Sequence, residues 1–220
     1  MTLFLGGGGD KADSIAIDSV FFEDIKADDK ILYIPIACDF TSYKNCFEWF
    51  CSLAQQYIPI PSSNIKMLLE NDSIPDFSSY KAIYIGGGNT YKILDYIATN
   101  NLKESFENFL QNGGKIFGGS AGAIIFGSTI ETVAEEKENY PDNKALCFLK
   151  DFALRCHYVE KDNNLFAKLS SSLSVPIIAI PENGGIIINN NKIDIIGELY
   201  LFKNGQKHNI NILKDDYAKL

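Results

Sequence analysis

Five short apolar runs punctuate this chain: LFL at 3–5, KILYIPIA at 30–37, KAIYI at 81–85, KIF at 115–117 and VPIIAI at 175–180. A strand with one wet face alternates apolar and polar side chains. A near-continuous run suits a strand covered on both faces, as in a parallel sheet. Stretches of helical period lie between the runs, with apolar stripes such as Ile15, Ile17, Val20 and Phe21, and Phe47, Phe50, Leu53 and Ala54. Strand, helix, strand in alternation predicts βαβ units. The tail differs: apolar segments at 186–188, 193–196 and 199–202 are separated by Asn and Gly turns, which predicts short antiparallel strands. The expected fold class is α/β, with a mostly parallel central sheet, helices on both faces and short antiparallel C-terminal strands. No repeat or linker interrupts the pattern, so residues 1–220 are expected to form a single domain.

At 46% hydrophobic and 22% charged residues, the chain can build a core of ordinary size. Its net charge of −8 repels phosphate backbones and anionic lipid, which argues against nucleic-acid and membrane-surface partners. The five cysteines, Cys38, Cys46, Cys51, Cys147 and Cys156, follow no disulfide or zinc spacing and read as free thiols. The N-terminus lacks a basic region and a long apolar run, and no stretch approaches the ~20 apolar residues of a membrane span, so a cytoplasmic location is expected. No metal and no cofactor are expected.

The segment Gly118-Gly119-Ser120-Ala121-Gly122 follows the KIF run and precedes a helical stretch over 121–126. Gly-x-Ser-x-Gly at a strand-to-helix turn holds a serine in a strained backbone and lifts its hydroxyl above the sheet edge, while the glycines let other elements pass close by. Ser120 is the candidate nucleophile. A serine hydroxyl needs a base, and the chain has two histidines. His157 follows an apolar segment at an expected strand end. His208 lies in GQKHN, an expected solvated turn, which leaves His157 the stronger base candidate. An acid must orient the imidazole. Candidates are Glu131, Glu135, Glu136 and Glu138 in the acidic stretch 131–145, which reads as an exposed loop, and Glu182, directly after the VPIIAI run. The residues alone do not separate them.

Gly86-Gly87-Gly88-Asn89-Thr90 follows KAIYI. Glycines at a strand end expose backbone N–H groups, and an acyl-transfer oxyanion needs two such donors. Gly88 and Ala121 are the candidate oxyanion pair, with Asn89 and Thr90 as candidate substrate-binding residues. The run Gly6 to Gly9 lacks both Gly-x-Gly-x-x-Gly register and a following Gly-Lys-Ser/Thr, so it reads as a loop beside the cleft rather than a phosphate cradle.

Together, YIGGGNTYKIL, GGSAGAI, FALRCHY and PENGGIII resemble, in residues, order and separation, the peptidase E (aspartyl dipeptidase) and cyanophycinase family of serine peptidases. The resemblance implies a flavodoxin-like three-layer sandwich similar to class I glutamine amidotransferases. Those enzymes carry Cys at the elbow, and Ser120 argues against that activity. It further implies Ser120 as nucleophile, His157 as base, Gly88 and Ala121 as the oxyanion hole, and Glu135 as the match to the family's acid, where peptidase E has Asp; Glu182 stays as the alternative. The expected partner is a short peptide or small amide, hydrolysed through an acyl-enzyme by a monomer or homodimer. The other readings are an esterase or amidohydrolase using His208 and a non-catalytic ligand-binding protein. Aspartyl specificity needs a cationic pocket, and only Arg155 lies near a motif residue.

Overall fold

The computed structural model describes residues 2–133, 143–190 and 192–210. The first four apolar runs form strands of a seven-stranded sheet. β1 (Thr2–Gly6), β2 (Ile31–Ile34), β3 (Ile65–Met67), β4 (Ala82–Ile85) and β5 (Lys115–Gly119) pair in parallel in the order β3-β2-β4-β5-β1.

Side chains alternate between two apolar clusters with the strand period of two. Leu3, Leu5, Leu32, Ile34, Ile83, Ile85 and Ile116 face α3 (Thr90–Thr99) and α4 (Leu102–Gln111), which supply Ile93, Leu94, Phe106 and Leu110. Phe4, Tyr33, Tyr84 and Phe117 face the other way, toward α1 (Ile15–Phe22) and α2 (Tyr43–Tyr57), which supply Phe21, Phe22, Phe50 and Leu53. Helices therefore cover both faces, and β2, β4, β5 and β1 are apolar on both sides. On the second face the register lines up Tyr33, Tyr84, Phe117 and Phe4 on neighbouring strands. Tyr84 stacks on Phe117 with centroids 4.5 Å apart and an interplanar angle of 5°. Burying each such ring is worth roughly 1.5–3 kcal/mol.

The C-terminal strands pair antiparallel, as expected, but they divide between two sheets. β8 (Gly185–Asn189) and β9 (Lys192–Ile196) extend the central sheet beyond β1. The run 175–180 supplies β7 (Ile177–Ala179), which does not join that sheet. It forms a second sheet with β6 (Ala153–Arg155), β10 (Tyr200–Lys203) and β11 (Gln206–Asn209), in the order β11-β10-β7-β6. With α6 (Asn163–Ser172), this sheet builds a separate cluster from Ala153, Tyr158, Phe166, Ile177, Ala179 and Phe202.

Two local expectations change. The helix after Ser120, α5, spans Ala121–Ile124 rather than 121–126. It stops early because Phe126 N–H and Gly127 N–H donate only three residues back, to Ala123 O and Ile124 O, while the carbonyls of Ile125 and Phe126 accept from Leu146 N–H and Leu149 N–H. His208 sits on edge strand β11, opposite Leu201, rather than in a turn. Among the described residues, no helix is long and apolar enough to cross a membrane.

Candidate active site

The registers of the two sheets bring the site together. In the central sheet Gly6 pairs with Gly119, so the turns that follow β1 and β5 emerge side by side. Ser120 N–H donates to Gly6 O at 3.2 Å. In the second sheet Arg155 pairs with Ala179 in parallel β6 and β7. His157 lies two residues past the first and Glu182 three past the second, so both reach the same edge. Ile180 N–H donates to Arg155 O at 2.7 Å, and Tyr158 N–H donates to Ile180 O at 3.2 Å, locking that register.

Ser120 holds φ 52° and ψ −116°, a region a residue with a Cβ adopts only when its surroundings impose it. The surroundings here are glycine-tight: a Cβ added to Gly118 would stand 2.1 Å from Gly122 O. His157 is also left-handed, at φ 53°. Its N–H donates to Gly7 O at 3.0 Å, and Gly7 N–H donates to Gly184 O at 3.0 Å. The glycine run after β1 is thus the strap that ties the serine turn, the histidine turn and the Glu182 turn to one another. Gly8, at φ 93°, passes between serine and histidine; a Cβ there would meet Ser120 Cβ at 2.6 Å and His157 Nε2 at 2.7 Å.

Ser120 Oγ lies 2.8 Å from His157 Nε2, and His157 Nδ1 lies 2.8 Å from Glu182 Oε1. A carboxylate only accepts, so Nδ1–H donates to Glu182 and Nε2 is free to accept the Ser120 O–H. Both side chains are about half exposed, at 46% for His157 and 51% for Glu182. Of the other acid candidates, Glu131 is exposed, while Glu135, Glu136 and Glu138 lie outside the described residues. His208, on β11, makes no contact with Ser120 comparable to that of His157.

The turn after β4 forms the opposite wall. A Cβ on Gly87 would stand 2.9 Å from Ser120 Cβ and 3.5 Å from its Oγ, which sets the Gly87–Gly88 peptide beside Ser120. Ala121 is the first residue of α5, so its N–H has no partner within the helix. With α5 only four residues long, any help to an oxyanion comes from individual N–H groups rather than from a long helix dipole. Asn89 and Thr90 follow the glycines of this turn. Asn89 caps α3, its Oδ1 accepting from Lys92 N–H at 3.0 Å while its own N–H donates to Ala37 O at 2.8 Å. Thr90 is fully buried. The Arg155 guanidinium is engaged with other partners: its Nη1 donates to Thr132 O at 3.0 Å and it lies 5.3 Å from the centre of the Phe166 ring.

A cavity of about 380 Å³ opens beside Ser120, walled by Tyr33, Cys38, Cys46, Trp49 and Tyr84. Burial pushes the Tyr33 and Tyr84 hydroxyls well above the usual tyrosine range and the Cys38 thiol up to about 12, so all three are uncharged at neutral pH. Sequence reading missed this cavity. Its trace is a tyrosine at matching register in two otherwise aliphatic strands, ILYI and AIYI. Among the described residues, no group of three or more His, Cys, Asp or Glu side chains is gathered as a metal site would need.

Residues 2–196 match the model of peptidase family S51. Curated relatives include peptidase E of Haemophilus influenzae (strain PittGG), 26% identical over 126 residues, or 53% of this chain and 54% of that protein. Peptidase E of Nostoc sp. is 24% identical over 190 residues, covering 81% of this chain and 77% of that one. The match thus spans about half the length of the first relative and about three quarters of the second. Among solved structures, a peptidase from an acI-B1 Actinobacterium aligns with TM-score 0.67 at 20% identity, covering 94% of this chain and 93% of that one. A protein from Listeria monocytogenes EGD-e aligns with TM-score 0.69 at 20% identity, covering 88% and 96%. At that identity the two structures speak for the fold.

Proposed function

This chain belongs to peptidase family S51, and from that premise we propose that it is a serine peptidase acting on short peptides through Ser120, His157 and Glu182. The layered parallel sheet is read as flavodoxin-like, with the catalytic turns at the carboxyl ends of its strands, where open α/β sheets bind ligands. The observation that carries the reading is the unbroken pair of 2.8 Å contacts from Ser120 Oγ through the imidazole to Glu182 Oε1.

In this reading His157 Nε2 takes the Ser120 proton as Oγ attacks the peptide carbonyl. The Gly88 and Ala121 N–H groups receive the oxyanion. Glu182 holds the imidazole in the tautomer with Nδ1 protonated and stabilises the imidazolium that forms. His157 then protonates the leaving amine, and water releases the acyl group. The half-exposed catalytic pair, set among tight turns, favours small peptides over folded proteins.

The test is hydrolysis of a dipeptide and tripeptide library by wild type, His157→Ala and His208→Ala. Loss of the base lowers kcat/KM by several orders of magnitude, about 10³-fold or more, whereas His208→Ala keeps wild-type rates. Full activity in His157→Ala would hand the base role to another residue.

A further inference from the structure

The cavity beside Ser120 also speaks to which peptides are cut. Its rings are held by packing: Tyr33 stacks on Phe50 at 4.6 Å, Tyr84 stacks on Phe117, and Trp49 meets Tyr84 edge-on at 6.3 Å. Cys38 Sγ donates to Gly87 O at 3.3 Å and lies 3.2 Å from Cys46 Sγ, which closes the wall with two polarizable thiols. The space is therefore preformed and at the small end of the range for ligand pockets. Rings and thiols of this kind offer edge, face and sulfur contacts to an apolar or aromatic group.

Charge is the second observation. Among the described residues, no Asp, Glu, Lys, Arg or His lines the cavity, and its single side-chain amide, Asn45, is exposed. The cation behind the wall, Lys92, is already engaged: its Nζ donates to Cys38 O at 2.7 Å and pairs with Glu70 at 3.0 Å. A carboxylate entering this space would lose its water without gaining a cation, and an ammonium would find no carboxylate.

Position is the third. His157 and Glu182 are not among the residues that line the cavity. The leaving amine departs beside the base that protonates it, so a cavity lined by Ser120 but not by His157 suits the acyl half.

Resting on Ser120 as nucleophile, we infer that this cavity is the specificity pocket for the side chain of the residue carrying the scissile carbonyl, and that it selects an uncharged, large apolar or aromatic side chain rather than an acidic one.

The experiment uses α-aminoalkyl phosphonate diphenyl esters, as free amines and N-acylated, with Phe-, Leu-, Ala-, Asp- and Lys-like side chains. Ser120 Oγ bonds to phosphorus as phenol leaves, and the second-order rate of inactivation is read for each. The expected result is a Phe- or Leu-like rate at least about 10-fold above the Ala-, Asp- and Lys-like rates. Asn45→Arg, which brings a cation to the rim, is expected to raise the Asp-like rate about 10-fold relative to the Phe-like one. Equal rates, or a faster Asp- or Lys-like compound in wild type, would overturn the assignment and leave the serine-peptidase reading standing. So would labelling of Ser120 by a small nonselective fluorophosphonate when none of the five reacts. If neither class labels Ser120, the serine-peptidase reading fails and the assignment falls with it.

Discussion

Replacing Glu182 by Gln keeps the shape of the side chain and removes its charge. His157 Nδ1 then faces a neutral amide at the same 2.8 Å contact. Two effects follow. The hydrogen bond drops from a charge-assisted one to a neutral one, a loss of roughly 1 kcal/mol. The imidazolium formed during attack also loses a counter-charge. At about 4 Å that pairing is worth about 1 kcal/mol in water and about 4 kcal/mol near a protein surface. With His157 46% and Glu182 51% exposed, a value toward the lower end applies, giving about 2–3 kcal/mol in all. At about 1.4 kcal/mol per tenfold, this is a loss of about 30–150-fold. It falls short of the ~10⁴-fold that a buried triad acid is worth, because water can partly replace an exposed carboxylate. The assay is the second-order rate of phosphonylation by a small fluorophosphonate, which needs no knowledge of the natural substrate. A loss below about 3-fold in Glu182→Gln, with a ~10²-fold loss in Glu135→Gln, would refute the assignment and move the acid role to Glu135.

Three further outcomes follow from the packing. Burial raises the Asp18 carboxyl from 3.8 to about 6, against a partial offset from the Ser14 hydrogen bond. A raised folded-state value favours the protonated form, so the stability it contributes is present below about pH 4 and lost as pH rises through about 6. Asp18→Asn should therefore gain about 1–3 kcal/mol at pH 7.5 and almost nothing at pH 4. Denaturant unfolding at the two pH values checks this, and an equal gain at both would contradict it. Gly88 holds φ 135°, and a Cβ there would stand 2.2 Å from Ala37 O, so Gly88→Ala must displace the backbone that carries its N–H. A loss of about 10²–10³-fold in kcat/KM is expected. Gly113→Ala, strained at φ 86° but facing open space, should cost only about 1 kcal/mol of stability and leave catalysis at wild-type rates.

What could be read from the sequence was what is local. Strands β1, β2, β4 and β5 announce themselves because each is apolar on both faces, and Ser120 because the glycine-flanked elbow is encoded within five residues. His157 emerged through scarcity of alternatives. The partner of His157 was not legible, because Glu182 arrives through the pairing of Arg155 with Ala179 in a sheet whose strand β7 reads like any buried strand. The second sheet itself was hidden for the same reason, and β11 because its QKHN sequence looks like a polar turn while serving as an edge strand. The Gly6–Gly9 run had no local motif: its purpose lies in contacts with Ser120, His157 and Glu182, residues far away in the chain. The specificity pocket left only the paired tyrosines of β2 and β4 as a trace.

The central claim is that Ser120 is a nucleophile made reactive by His157. It is tested most directly by treating the intact protein with a fluorophosphonate and mapping the adduct by peptide mass spectrometry. The account predicts a single stoichiometric adduct on Ser120, absent from Ser120→Ala and slowed by at least about 10³-fold in His157→Ala. An unmodified Ser120, or labelling that persists at the wild-type rate in His157→Ala, would contradict it.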